Sequence, residues 1–104
     1  VEPIAMVADV AKAYAGKLPI AVASGGELFV VKQTLTTIGL FEIFDAIVTA
    51  DDVVHGKPAP DIFLEAARRI GIDPEHCLVF EDADAGIQAA VAAGMRYVDV
   101  RRHL

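Results

Sequence analysis

Short apolar runs alternate with helix-patterned stretches along the chain, and this alternation restricts the fold more than any other feature of the sequence. Ile20-Ala21-Val22-Ala23, bounded by Pro19 and by Ser24-Gly25-Gly26, reads as a buried strand. Ala46 to Thr49, Leu78 to Phe80 and Tyr97 to Val100 have the same character. Between the first two runs, Leu28, Val31, Leu35 and Ile38 line one face of a helix. Asp61 to Ile70 and Ala85 to Ala93 form two more, and Gly39, Gly71 and Gly94 stand where a left-handed cap closes each of the three. A further helix over residues 3 to 15 opens on Pro3, aligns Ile4, Val7, Ala8, Ala11 and Tyr14, and stops at Gly16. Such alternation predicts an α/β domain, a parallel sheet with helices on both faces.

Length allows one such domain: a chain of this size buries roughly two-thirds of the surface its unfolded form exposes. The 55% hydrophobic content and mean hydropathy of +0.48 fit strands covered on both faces, or an apolar surface that awaits a partner. A net charge of -6 argues against a nucleic-acid or anionic-membrane surface, because those use clustered Lys and Arg. Cys77 is the sole cysteine, so no intrachain disulfide forms, and its apolar neighbours make it a small core residue. A reducing cytoplasm is the expected compartment. No apolar run is long enough to span a membrane and no secretory signal pattern opens the chain. It begins at Val1 rather than Met, as a piece of a longer polypeptide would.

In parallel sheets of this kind ligands bind beyond the carboxyl ends of the strands, and three chemically informative segments fall there. Ser24-Gly25-Gly26 follows one strand and precedes a helix, so the Ser24 hydroxyl and the glycine amides can face an anion at a helix N-terminus. The same residues also read as a plain turn or N-cap. Lys57 lies in Gly56-Lys57-Pro58-Ala59-Pro60-Asp61, where two prolines stiffen the backbone around a positive charge. It suits a phosphoryl group or an anionic nucleophile; the alternative is a solvated loop lysine before a helix that Asp61 starts. Glu81-Asp82 ends a strand and Asp84 follows, a crowding of like charges that a divalent cation would relieve. One of Asp82 and Asp84 is also expected to cap the next helix. Asp51-Asp52 reads as a turn or short helix, and His55, His76 and His103 as surface residues without metal-ligand spacing.

Taken in order, Ala21-Val22-Ala23-Ser24-Gly25, Gly56-Lys57-Pro58-Ala59-Pro60-Asp61 and Val79-Phe80-Glu81-Asp82 with Gly86-Ile87 resemble the second, third and fourth motifs of the haloacid dehalogenase-like superfamily. The likeness is to the branch of β-phosphoglucomutase and fructose-1-phosphate phosphatase, and it covers the chain from Val1 to Arg101. It implies a Rossmann-like three-layer sandwich. It also implies magnesium-dependent hydrolysis of a small phosphate monoester, a sugar phosphate first, with mutase chemistry next. Ser24 and Gly25 would bind phosphate, Lys57 would neutralise phosphate and nucleophile, and Glu81 with Asp82 would lie on the Mg2+ side. In such a reaction an aspartate carboxylate attacks phosphorus and water later releases the phosphate.

The departure from the pattern is as informative. Members of that superfamily open with an apolar strand ending in Asp-x-Asp-Gly-Thr, followed by a helical cap, and residues 1–104 contain neither. The chain is therefore expected to be a partial core domain, inactive alone. A non-catalytic phosphate- or metal-binding module, or a structural remnant, is the alternative. The absent strand belongs at the centre of the sheet, between the strands that end at Ser24 and Asp82. Either those two strands pair directly, or a second copy of the chain covers the gap.

Overall fold

The structure is a computed structural model that describes residues 3–103, with side chains described from Ala8 to Arg102. Among the described residues, four α-helices and four strands alternate as the hydrophobic pattern predicts: α1 (Pro3–Tyr14), β1 (Ala21–Ala23), α2 (Leu28–Thr37), β2 (Ala46–Val48), α3 (Asp61–Ile70), β3 (Leu78–Glu81), α4 (Asp84–Ala92) and β4 (Arg96–Asp99). The expected packing of Ile4 and Val7 lies outside the described side chains. Gly71 shows how the helices stop. Its φ of 72° is open to glycine at no steric cost, and its amide bonds back to Ala67 and Arg68 carbonyls. Gly16, Gly39 and Gly94 take the same conformation. Four short 3-10 turns, Phe41–Ile43, Ala50–Asp52, Pro74–His76 and Val100–His103, fill connections that periodicity does not resolve, and Val100 belongs to the last of them rather than to β4.

The sheet is divided. β1 pairs in parallel with β2, Ala21 opposite Ala46, and β3 pairs in parallel with β4, Leu78 opposite Arg96. β1 and β3 do not pair, which corrects the expectation that these two strands would join directly. At their carboxyl ends a side chain bridges them instead. The Ser24 amide bonds to Val48 on the β2 side, so the alternation of a parallel ladder turns the Ala23 carbonyl to the opposite edge. There the Lys57 ammonium takes it, at 3.1 Å.

Packing makes the two half-sheets one body. Ala21 and Ala23 of β1 and Val48 of β2 face a core with Ile62, Phe63, Ala66 and Ala67 of α3, Val79 of β3, and Ala89, Ala90 and Ala93 at α4. Val22 and Ile47 face the other way, against Val31 and Leu35 of α2 and Leu40 beyond it. The alternate residues of β1 and β2 are thus covered on both faces, as their uninterrupted apolar character requires. Small residues let α4 lie close: Ala89 and Ala90 are fully buried. Cys77 packs against this core as expected, and burial raises its thiol above the ordinary value.

Arginines fasten the outer edges. Arg69 of α3 donates to Glu65 at 2.7 Å and to the Ile47 carbonyl of β2 at 3.1 Å, and pairs with Asp52 at 3.2 Å. Arg101 donates to Asp99 at the end of β4 and to Asp84 at the start of α4. Hydrogen bonds from Arg68 and then Arg69 hold the Glu65 carboxyl down at about 2, and Arg101 holds Asp99 at about 2. A carboxyl that titrates lower folded than unfolded favours folding when ionised. These groups therefore contribute fully above the ordinary glutamate value of 4.5 and lose that contribution as pH falls toward 2. Urea midpoints measured across this window should decline, and Glu65→Gln should flatten the decline; an unchanged slope would show that the Glu65 cluster contributes nothing.

Candidate active site

The carboxyl ends of β1, β2 and β3 bring the sequence-predicted residues to one edge. Ser24 leaves β1 half-buried, and its hydroxyl oxygen accepts the Gly26 amide at 3.1 Å, closing a turn. The Gly25 amide has no acceptor among the described residues. Neither is an N-cap: α2 starts after Glu27, and the Leu28 amide is taken by the Asp51 carboxylate at 3.0 Å. Asp51 thus supplies from across the chain the acceptor that the N-cap reading of the sequence assigned to Ser24. Asp52 closes a capping box with Thr49 in the turn expected there.

Lys57 is clamped rather than solvated. Its Nζ donates to the Ala23 carbonyl at 3.1 Å and to Glu81 Oε2 at 2.9 Å, and lies 5.0 Å from the centroid of the Phe63 ring. The pair is sheltered, with side-chain exposures of 19% for Lys57 and 9% for Glu81. An ammonium fixed on three sides cannot reorient far, and it sits one residue from Ser24. Phe63 was not visible in the sequence as a site residue, though its place two residues into α3 after the Pro-stiffened loop is the only available signal.

At the end of β3 the acidic residues divide. Glu81 turns back into the protein, its Oε1 accepting the Asp82 amide at 3.0 Å and its Oε2 accepting Lys57. Asp82 is exposed, and its carboxylate has no partner among the described residues. Asp84 is drawn off to Arg101 at 2.8 Å. The expected cap is not there: Ala83 occupies the N-cap of α4 without a side-chain bond, and Asp84 is already the first residue of the helix. Asp61 likewise is the first residue of α3, after Pro60, and makes no capping bond. The crowding read as a demand for a cation is met in part by two protein cations, Lys57 and Arg101. The donor set that remains still fits a hard divalent ion, since the two Glu81 oxygens, with one hydrogen bond each, keep a free lone pair and the Asp82 oxygens are unpartnered among the described residues. Among the described residues, the grouping of three ligand-type side chains whose atoms lie within 4.8 Å of one another is Asp73, Glu75 and His76, exposed at the amino end of β3 and away from this edge, so His76 has carboxylate neighbours that its sequence spacing did not suggest.

A parallel α/β scaffold with a Ser-Gly turn, a clamped lysine and an acidic strand end at one edge defines a Rossmann-like domain with an ionic site. The chain belongs to the haloacid dehalogenase-like hydrolase family, whose model matches residues 2–94. It is 54% identical over 101 residues to fructose-1-phosphate phosphatase YqaB of Escherichia coli (strain K12), covering 97% of this chain and 53% of that protein. Among solved structures, a putative β-phosphoglucomutase from Thermotoga maritima superposes with a TM-score of 0.82 at 32% identity, over 88% of this chain and 43% of the other. CbbY from Rhodobacter sphaeroides in complex with phosphate gives 0.80 at 35% identity, over 88% and 42%. The chain spans about half the length of the curated relatives it matches, 53% and 46% for two of them.

Proposed function

We propose that this chain is the phosphate- and metal-receiving half of a magnesium-dependent phosphatase acting on a small sugar phosphate, with the nucleophile supplied by another segment of the parent polypeptide. The observation that carries this reading is the convergence of Ser24-Gly25, Lys57 and Glu81-Asp82 at one edge, with Lys57 bonded at once to the ends of β1 and β3. The name of the Escherichia coli relative supports fructose 1-phosphate as the first substrate to try.

Each residue has a distinct part. The Gly25 amide and the Ser24 hydroxyl proton bind phosphoryl oxygens at the carboxyl end of β1, where glycine lets an anion approach the backbone. Lys57 offsets the charge of the phosphoryl group and of an incoming carboxylate without having to reorganise. Asp82, with Glu81 beside it, would hold the divalent cation. Magnesium, when bound, supplies positive charge to a phosphoryl oxygen. Glu81 keeps Lys57 in place through its second oxygen.

Phosphate release from fructose 1-phosphate by the parent polypeptide should require magnesium and stop on chelation. Asp82→Asn should weaken the apparent magnesium affinity about tenfold or more, since altering even a group that only orients a metal ligand costs about 10- to 100-fold. Turnover that survives both chelation and Asp82→Asn would remove the metal from the reading.

A further inference from the structure

Gly86 is buried in the first turn of α4, and its glycine is not explained by the backbone. Its φ is not positive, unlike the four glycines that close helices. In a helix interior glycine costs about 1 kcal/mol relative to alanine, and the positions around it, Ala83, Ala85, Ala89 and Ala90, are alanines. The neighbouring side chain gives the reason. A Cβ at position 86 would lie 2.0 Å from Glu81 Cδ, 2.1 Å from Oε2 and 2.3 Å from Cγ. The Glu81 carboxyl group occupies the space that any side chain on residue 86 would fill.

We propose that Gly86 is a positioning residue for Lys57, acting through Glu81: the missing side chain at 86 is the seat that folds the Glu81 carboxylate back to the ammonium. With the seat filled, Glu81 must swing outward, and Lys57 loses the partner at 2.9 Å that ties it to β3. Glu81 would then project beside Asp82, altering the division by which one carboxylate fixes the lysine and the other is left open. The role assigned to that division rests on the phosphatase reading; the steric coupling of Gly86, Glu81 and Lys57 does not.

The test uses the 104-residue chain itself and needs neither metal nor turnover, so it can fail while the phosphatase reading stands, and the reverse. Lys57 is sheltered, whereas Lys12, Lys17 and Lys32 are exposed and serve as internal standards for labelling by an amine-reactive reagent read by mass spectrometry. Gly86→Ala should raise Lys57 labelling severalfold relative to those three. Glu81→Ala should do the same, and the double variant should match Glu81→Ala alone, because the three atoms nearest a methyl at 86 all belong to the side chain that Glu81→Ala removes. Gln88→Gly, an exposed position in the same helix, weakens α4 without filling the seat and should leave Lys57 shielded. Labelling unchanged in Gly86→Ala, multiplicative effects in the double variant, or equal exposure of Lys57 in Gln88→Gly would each overturn the proposal. If Gly86→Ala does not fold, the double variant should; failure of both to fold overturns it as well.

Discussion

On the phosphatase reading proposed above, Lys57→Ala should lower phosphate release from fructose 1-phosphate by the parent polypeptide by about 10²- to 10³-fold, the loss that follows removal of one fixed donor from a site where negative charge develops. The size of the effect comes from preorganisation. The ammonium is set by the Ala23 carbonyl, by Glu81 Oε2 and by the Phe63 ring before any ligand arrives, so little reordering is left for the reaction to do. Lys57→Arg keeps the charge but replaces a compact ammonium with a planar fork, and three close partners leave no room for it. It should recover little. The fold should survive at a cost in stability, because the core shared by α3 with both half-sheets remains although Glu81 loses its Lys57 partner and keeps only the Asp82 amide. The measurement is kcat and KM for both variants, with circular dichroism to confirm the fold. Activity within tenfold of the unsubstituted protein would mean that Lys57 is a structural tie between β1 and β3 and no more.

Ile62→Ala should destabilise the chain by about 2–5 kcal/mol, the range for emptying a buried large aliphatic site. Ile62 is 1% exposed and sits on α3 in the core that touches β1, β2, β3 and α4. In a domain with a continuous sheet, strand-to-strand hydrogen bonds would share that burden. Here no ladder joins β1 to β3, and the cohesion of the two halves falls on this core and on the Lys57 bridge. Total stability of a small domain is about 5–15 kcal/mol, so a loss of this size brings the chain close to unfolding. Leu35→Ala, in the smaller cluster under α2, makes the comparison: it loosens one face of one half-sheet. Urea unfolding of the two variants should place Ile62→Ala lower, and a shift below about 1 kcal/mol for Ile62→Ala would show that the halves cohere by other means.

Much of this architecture was legible in the sequence for a physical reason. The strands are nearly continuous apolar runs, the helices carry one apolar face, and each helix stops two residues or fewer before a glycine that takes positive φ. Those signals are local. Contacts that cross the chain were not legible. Ser24 looked like a cap because it precedes a helix, yet the Leu28 amide found Asp51 instead. Asp82 and Asp84 looked like caps for the same reason, and Arg101 took Asp84 from the far end of the chain. The convergence of Ser24, Lys57 and Glu81 could be anticipated, because parallel strands place their carboxyl ends together. That Glu81 folds back onto Gly86 could not, since sequence spacing does not fix a rotamer. The sequence marked Gly86 only as a glycine among alanines in the first turn of α4 and as part of the stretch that resembles the fourth motif, neither of which says what it touches.

The pairing of β1 only with β2, and of β3 only with β4, also bears on the order in which the chain assembles. Each pair joins strands that are neighbours in sequence, with one helix and its turns between them. Closing such short segments costs little chain entropy, and contacts of small sequence separation form early. Two strand–helix–strand units can therefore nucleate independently, in either order, and α3, which lies between them in sequence and packs on β1, β2 and α4, is the segment whose docking turns two nuclei into one cooperative transition.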